Sequence, residues 1–348
     1  MSNDPTAATP RSPGIGRRRL RFSRPRVLLV AVFAAIALGV AGYLAAGVYG
    51  WQSLEIPRAC GDREFARQTP SDFLASNASG SLTVDTTAYH FSDYRDVAFP
   101  ARGTNLTIRG WYAPGPEGTA SPTVVLANGI YSCRRDSVTL LPAAMLHKAG
   151  FGVLVVDLRN HGDSDVDDGH AALGGKEYAD LLGAWDWLVK QGHDPARIGL
   201  FGTSLSAASS LIAMGEEPAV AATWADSSFA DVDALLGERA SSLGFPAFLG
   251  GAVVPVGRLL GEADLGRRSP AGELAALAGR PIAIVQGLDD RQVLPHHAAD
   301  LAAAAGRAGT AVEPWLVPGA GHQEAVLLRP AEYEARLVAF FTSALGGG

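Results

Sequence analysis

The chain has 348 residues, 47% hydrophobic and 18% charged, a profile that fits a globular protein with a sizeable core and excludes a wholly disordered one. Its net charge of −6 divides unevenly: seven arginines against Asp4 make residues 1–26 +6, which leaves −12 for residues 27–348. A body that acidic lacks the basic footprint of a nucleic-acid binder.

Residues 1–26 are rich in Pro, Ser and Arg and are expected to be a disordered basic tail. Val27 to Trp51 follows as 25 residues without a charge. At about 1.5 Å per residue this run exceeds the ~30 Å hydrocarbon core of a bilayer. The arginines before it are expected to hold the N-terminus in the cytoplasm, with Tyr43, Tyr49 and Trp51 at the far interface and the body outside. A cleavable signal peptide is the alternative, since small residues around Ala45–Gly47 could be cut. The apolar run is longer than the ~7–15 residues of a signal h-region, which favours a retained single-pass anchor.

Residues 52–80 read as a juxtamembrane connector and 81–348 as the main domain. Tyr94–Phe99 and Leu106–Tyr112 alternate like paired strands around a turn at 102–105. Short apolar runs then recur at 123–127, 151–158, 197–202, 220–225, 281–286 and 314–317. Between them helical patterns occupy 136–149, 175–191, 204–215, 295–308 and 330–345. Continuous Val/Ile/Leu runs are what strands covered on both faces look like. The alternation predicts an α/β fold with a mostly parallel sheet covered by helices. One long interruption, residues 229–270, is rich in Leu, Phe and Gly and reads as a small lid.

The strongest chemical signal is Gly202-Thr203-Ser204-Leu205-Ser206, between a strand and a small-residue helix. A serine on a sharp strand-to-helix turn is lifted clear of the sheet, where a general base can reach its hydroxyl. The base needs an orienting acid. Asp290 lies in the loop after the 281–286 run, and His322 lies in the Gly-rich loop after 314–317. Three groups in the order Ser, Asp, His, each just past a strand's carboxyl end, make a candidate triad of Ser204, Asp290 and His322.

Further segments carry a family likeness: Asp157-Leu158-Arg159-Asn160-His161-Gly162-Asp163-Ser164, then Asp226-Ser227-Ser228-Phe229-Ala230, Gly287 to Val293, and Gly319-Ala320-Gly321-His322. With the serine turn they resemble the α/β-hydrolase superfamily, in particular its serine aminopeptidase-like and acyl-thioesterase-like branch, over about residues 90–345. The resemblance implies an eight-stranded sheet and acyl transfer to water through an acyl-serine, with no cofactor. By position, the oxyanion donors would be the backbone N–H groups of Ile130 and Leu205. Two departures stand out: Ser206 replaces the usual glycine, and Asn128-Gly129 replaces the family's usual His-Gly.

Other residues have plainer readings. Asp289 reads as a solvated turn carboxylate, with the role of acid in place of Asp290 left open, and Asp226 is a further alternative acid. His161 reads as a loop organiser. His296 and His297 read as surface residues pointing different ways, and no cluster shows zinc spacing. Trp185 and Trp187 read as packing. Cys60 and Cys133 are either a disulfide, permitted outside the cytoplasm, or two unrelated thiols; bonded, they would brace the loop that carries Ile130. The expectation is a membrane-anchored serine hydrolase of a small-molecule acyl substrate, most simply a carboxylic ester. Peptides or thioesters are alternatives on the same triad, and a non-catalytic, membrane-tethered binding protein is the rival from another class.

Overall fold

The computed structural model describes residues 24–56, 60, 67–261, 264–275, 277 and 279–346. The expected basic tail before residue 24 lies outside the described residues. The chain divides into two compact units, Met1–Tyr43 and Leu44–Gly348. Helix α1 (Arg24–Gln52) contains an apolar stretch, Val27–Gln52, with none of its most apolar window buried. By length and composition it could cross a membrane or be a signal sequence.

In the Leu44–Gly348 unit, a two-stranded ribbon pairs β1 (Ala75–Ser76) with β2 (Thr83–Val84). The main sheet has eight strands: β3 (Arg95–Pro100), β4 (Thr107–Ala113), β5 (Thr123–Ala127), β6 (Gly152–Val156), β7 (Ile198–Thr203), β8 (Ala222–Asp226), β9 (Ile282–Gly287) and β10 (Trp315–Val317). Their spatial order is β10-β9-β8-β7-β5-β6-β4-β3. β3 and β4 are antiparallel to each other, and β4 to β6, while the remaining pairs are parallel. Two buried clusters form the core. All five residues of β5, β6 and β8 are buried, as their unbroken apolar runs require.

The helices between strands are α2 (Ser137–Lys148), α3 (Tyr178–Lys190), α4 (Leu205–Glu216), α8 (His296–Arg307) and, after the short α9 (Ala325–Leu328), α10 (Pro330–Leu345). α2 opens on Asp136, whose carboxylate accepts the Val138 N–H. The segment between β8 and β9 holds α5 (Val232–Ser242), α6 (Val253–Leu260) and α7 (Pro270–Leu274).

The stretch expected to be a connector differs in part: Phe73 and Ala75 are 1% exposed and lie in the core. Residues 51–56 are also pinned. Trp51 stacks on His170 with centroids 4.1 Å apart, Ile56 N–H donates to Gly169 O (2.7 Å), and Ala171 N–H donates to Leu54 O (2.9 Å). Cys60 is bonded to Cys133, with Cα atoms 6.1 Å apart. Aromatic and apolar side chains at 51, 54, 56 and 73 give this stretch buried area that a polar connector lacks.

Candidate active site

Strand order reverses around β5, which has β7 on one side and β6 on the other. The crevice at the carboxyl ends of such strands is where open α/β sheets place their chemistry. Ser204 follows β7 with φ 54° and ψ −114°, a conformation that L-residues rarely adopt. A Cβ on Gly202 would collide with the backbone of Ser206 and Ala207, so glycine is required there. Ser206 Oγ accepts the Thr203 N–H (2.8 Å) and lies 2.8 Å from Ala127 O. Its buried hydroxyl thereby ties the turn to β5.

His322 Nε2 lies 2.9 Å from Ser204 Oγ, and His322 Nδ1 lies 2.7 Å from Asp290 Oδ2. Asp290 is 2% exposed. Its Oδ1 accepts the N–H groups of Gln292 (2.8 Å) and Val293 (3.0 Å), and its Oδ2 accepts Gln286 Nε2 (3.0 Å). Asp289 is exposed and touches the histidine loop only through its backbone N–H, on Ala320 O. The structure thus brings Ser204, His322 and Asp290 into one hydrogen-bonded chain and leaves Asp289 outside it.

Among the described residues, the N–H groups of Leu205 and Ile130 have no acceptor. The Asn128 departure is resolved by its partners: Nδ2 donates to Gly129 O (2.8 Å) and Oδ1 accepts the Leu158 N–H (3.2 Å). This buried amide fixes the start of the Ile130 loop. Asp157 fixes its far end, accepting the Arg134 N–H (2.7 Å) as well as the Arg134 guanidinium. His161 is 1% exposed and its Nδ1 contacts Arg159 O (2.7 Å). Burial lowers its pKa, which suits a neutral loop brace.

Asp226 stays out of the triad. Its carboxylate accepts Tyr333 OH (2.8 Å) and Ser227 Oγ (2.9 Å), while Ser227 Oγ accepts the N–H of Gln323, beside His322 (3.1 Å). Burial pushes the Asp226 carboxyl up to about 6. Sequence reasoning missed Ser227, Gln323, Tyr333 and Gln286. Only Ser227 lay in a motif, and nothing in its residue type announces a positive φ. Tyr131, Ser204, Ser227 and Gln323 all have φ between 54° and 60°, so four of the seven non-glycine residues with positive φ among the described residues belong to this site.

One expectation is corrected. His297 is fully buried, not a surface residue, and its ring lies 4.4 Å from that of His296. Both reach the Glu238 carboxylate on α5, through Nε2 at 2.6 Å (His296) and 3.1 Å (His297). Successive helix positions do diverge, but a carboxylate has two oxygens and can meet both rings. The three ligand atoms lie within 4.8 Å of one another, a spacing that could hold a metal ion. However, the Ala230 N–H donates to His297 Nδ1 (3.2 Å). That places the neutral ring's proton on Nε2, where a metal would have to displace it. Asp300, at 2.9 Å from His296 Nδ1, and then Glu238 raise the His296 pKa, whereas burial lowers that of His297.

A cleft of about 690 Å³ opens on Ser204 and His322, with Ile130, Tyr131, Gln292 and Gln323 among its walls. Gln292 also borders a second groove of about 590 Å³, whose walls include the apolar Ala247, Phe248 and Leu294 and, around them, the charged Asp233, Glu238 and Arg291.

The sequence model of the prolyl oligopeptidase family matches residues 137–348, which include Ser204, Asp290 and His322. The chain belongs to the prolyl oligopeptidase family. It is accordingly a serine hydrolase. An uncharacterized protein of Mycobacterium tuberculosis is 30% identical over 237 residues, 67% of this chain and 74% of its own length. Among solved structures, an esterase of Pyrococcus furiosus matches with a TM-score of 0.63 at 22% identity, over 84% of this chain and 98% of that one. A puromycin-hydrolyzing peptidase of Mycobacterium tuberculosis gives 0.57 at 21%, over 74% of this chain and 40% of that one. At such identities these structural likenesses show the α/β-hydrolase fold.

Proposed function

We propose that this family member is a membrane-anchored hydrolase that cleaves a carboxylic ester, or a related acyl bond, through an acyl-serine on Ser204. The observation that carries the reading is the unbroken contact chain Asp290–His322–Ser204 on a strained turn. His322 takes the Ser204 proton as Oγ attacks the carbonyl, and Asp290 holds the ring and offsets its developing charge. The open N–H groups of Leu205 and Ile130 would hold the oxyanion; one such donor is worth about 3–4 kcal/mol. His322 returns the Ser204 proton to the leaving alkoxide, which departs as the alcohol. Water then attacks the acyl-enzyme with the neutral His322 as base, and the acid leaves as Ser204 Oγ takes the proton back.

The largely apolar groove that meets the cleft at Gln292 suits an acyl chain, which favours an ester. The family match favours the second reading, a peptidase on the same triad, and a thioester would use the same parts. A fluorophosphonate probe should label the wild type and not Ser204→Ala; an unlabelled wild type would favour a non-catalytic binding protein. Comparing p-nitrophenyl esters of rising chain length with aminoacyl anilides separates ester from peptide substrates.

In this reading Val27–Trp51 is an uncleaved anchor, residues 1–26 are cytoplasmic, and the hydrolase domain with a lid at 229–270 lies outside the cytoplasm. An alkaline phosphatase fused at the C-terminus should be active; an inactive fusion would refute that topology.

A further inference from the structure

From Ser241 to Gly257 the chain carries no charged residue. This stretch joins the end of α5 to α6, and with the end of α6 it presents large apolar side chains to solvent: Leu243 at 51%, Phe245 at 53%, Phe248 at 66%, Leu259 at 82% and Leu260 at 54% exposure. Isolated exposed leucines are ordinary, but five large apolar groups within 18 consecutive residues call for a partner.

The neighbouring contacts say which partner. α6 packs against the end of α1, where a Cβ on Gly47 would come within 2.5 Å of Val256 Cγ2 and 2.7 Å of Ala252 O. One on Gly50 would collide with Val253. Trp51 closes the contact: a Cβ on Gly257 would sit 2.9 Å from its ring. Small residues that let two backbones approach this closely are the usual means of packing helices at and within membranes.

Residue count then sets the depth. A bilayer core of ~30 Å needs about 20 apolar helical residues. Val27 to Ala46 supplies twenty without a charge, and the next residue, Gly47, lies against Ala252 and Val256 at α6. The crossing length is therefore used up at the residue where α6 attaches, which leaves α6 and its uncharged approach at the headgroup level.

We infer that the 243–260 segment is a bilayer-docking surface, with Leu243, Phe245, Phe248, Leu259 and Leu260 inserted among lipid acyl chains on the side where α1 emerges. The inference rests on the reading of α1 as a retained anchor. Phe248 also lines the groove beside the catalytic cleft, so that groove opens toward the lipid and takes an acyl chain from it without passage through water.

The test uses the full chain in phosphatidylcholine/phosphatidylglycerol vesicles. With Cys60 and Cys133 bonded, no free cysteine is present among the described residues, so Leu259→Cys adds a thiol for an environment-sensitive fluorophore. Leu316→Cys, on an exposed leucine of β10, is the control. The expected result is a blue-shifted emission from position 259 that doxyl-labelled lipids quench at least twofold, with position 316 unchanged. Water-like emission at 259 in a chain that alkaline carbonate does not extract would overturn the docking and leave the anchor standing. Extraction by carbonate would overturn both. A blue shift that lipid quenchers do not touch, together with cross-linked dimers, would assign the surface to a second copy of the chain. In a second arm, Leu259→Asp/Leu260→Asp should lower turnover of a vesicle-embedded ester about tenfold and leave a soluble short-chain ester unaffected; equal turnover of both substrates overturns the proposal.

Discussion

Asp289 and Asp290 are adjacent in the chain and meet different fates: one carboxylate faces water, and the other accepts two backbone N–H groups, an amide and the His322 ring. Asp290→Asn should lower kcat by on the order of 10⁴, since the ring loses its orienting anion. Asp289→Asn should change kcat by less than about twofold, as exposed substitutions do. Steady-state kinetics on one ester decides both. Ser206 shows why a departure from a motif can be harmless. Glycine would also fit two residues past the nucleophile, but the serine hydroxyl satisfies the buried Thr203 N–H. Ser206→Ala should cost about 1–3 kcal/mol in urea unfolding, because that donor is left without a partner.

The Ile130 loop is held at the scale of elements, by parts far apart in sequence. Asn128 fastens it to the end of β6, Asp157 to Arg134, and Tyr131 OH donates to Ser53 O just past α1. Cys60–Cys133 closes a loop of 73 residues over the same region. In the chain-entropy account such a bridge contributes about 4 kcal/mol. Reduction, or Cys60→Ser/Cys133→Ser, should therefore lower Tm. The loosened loop should also lower kcat more than it raises KM, because a misplaced N–H weakens binding of the transition state above all. Parallel melting curves and kinetics check this.

Across the whole molecule, the Asp226 network joins β8 to α10 through Tyr333 and to the histidine loop through Ser227. The Asp226 carboxyl, raised to about 6 from a reference of 3.8, binds its proton more tightly in the native state than in the unfolded chain. Between pH 4 and 6 the unfolded chain has released that proton and the native one still holds it. Stability should fall as pH rises through this window, by on the order of 3 kcal/mol in total. In Asp226→Asn that part of the slope should vanish, which denaturant titrations across the window would reveal.

By itself the sequence determined the architecture and offered the candidate reacting groups. Unbroken apolar runs, and alternation in the first two strands, report burial directly, so each of the eight main strands was legible to within two residues. The serine, acid and histidine loops announced themselves through glycines and polar residues at strand ends. Only the tertiary structure decided which of two adjacent aspartates meets His322, why Asn128 and Ser206 serve where other residues are usual, and that His297 is buried against Glu238. It also showed that Phe73 lies in the core and that Trp51 stacks on His170. These outcomes depend on partners dozens to hundreds of residues away. Local pattern records how much of a side chain is buried, and says nothing of what it is buried against.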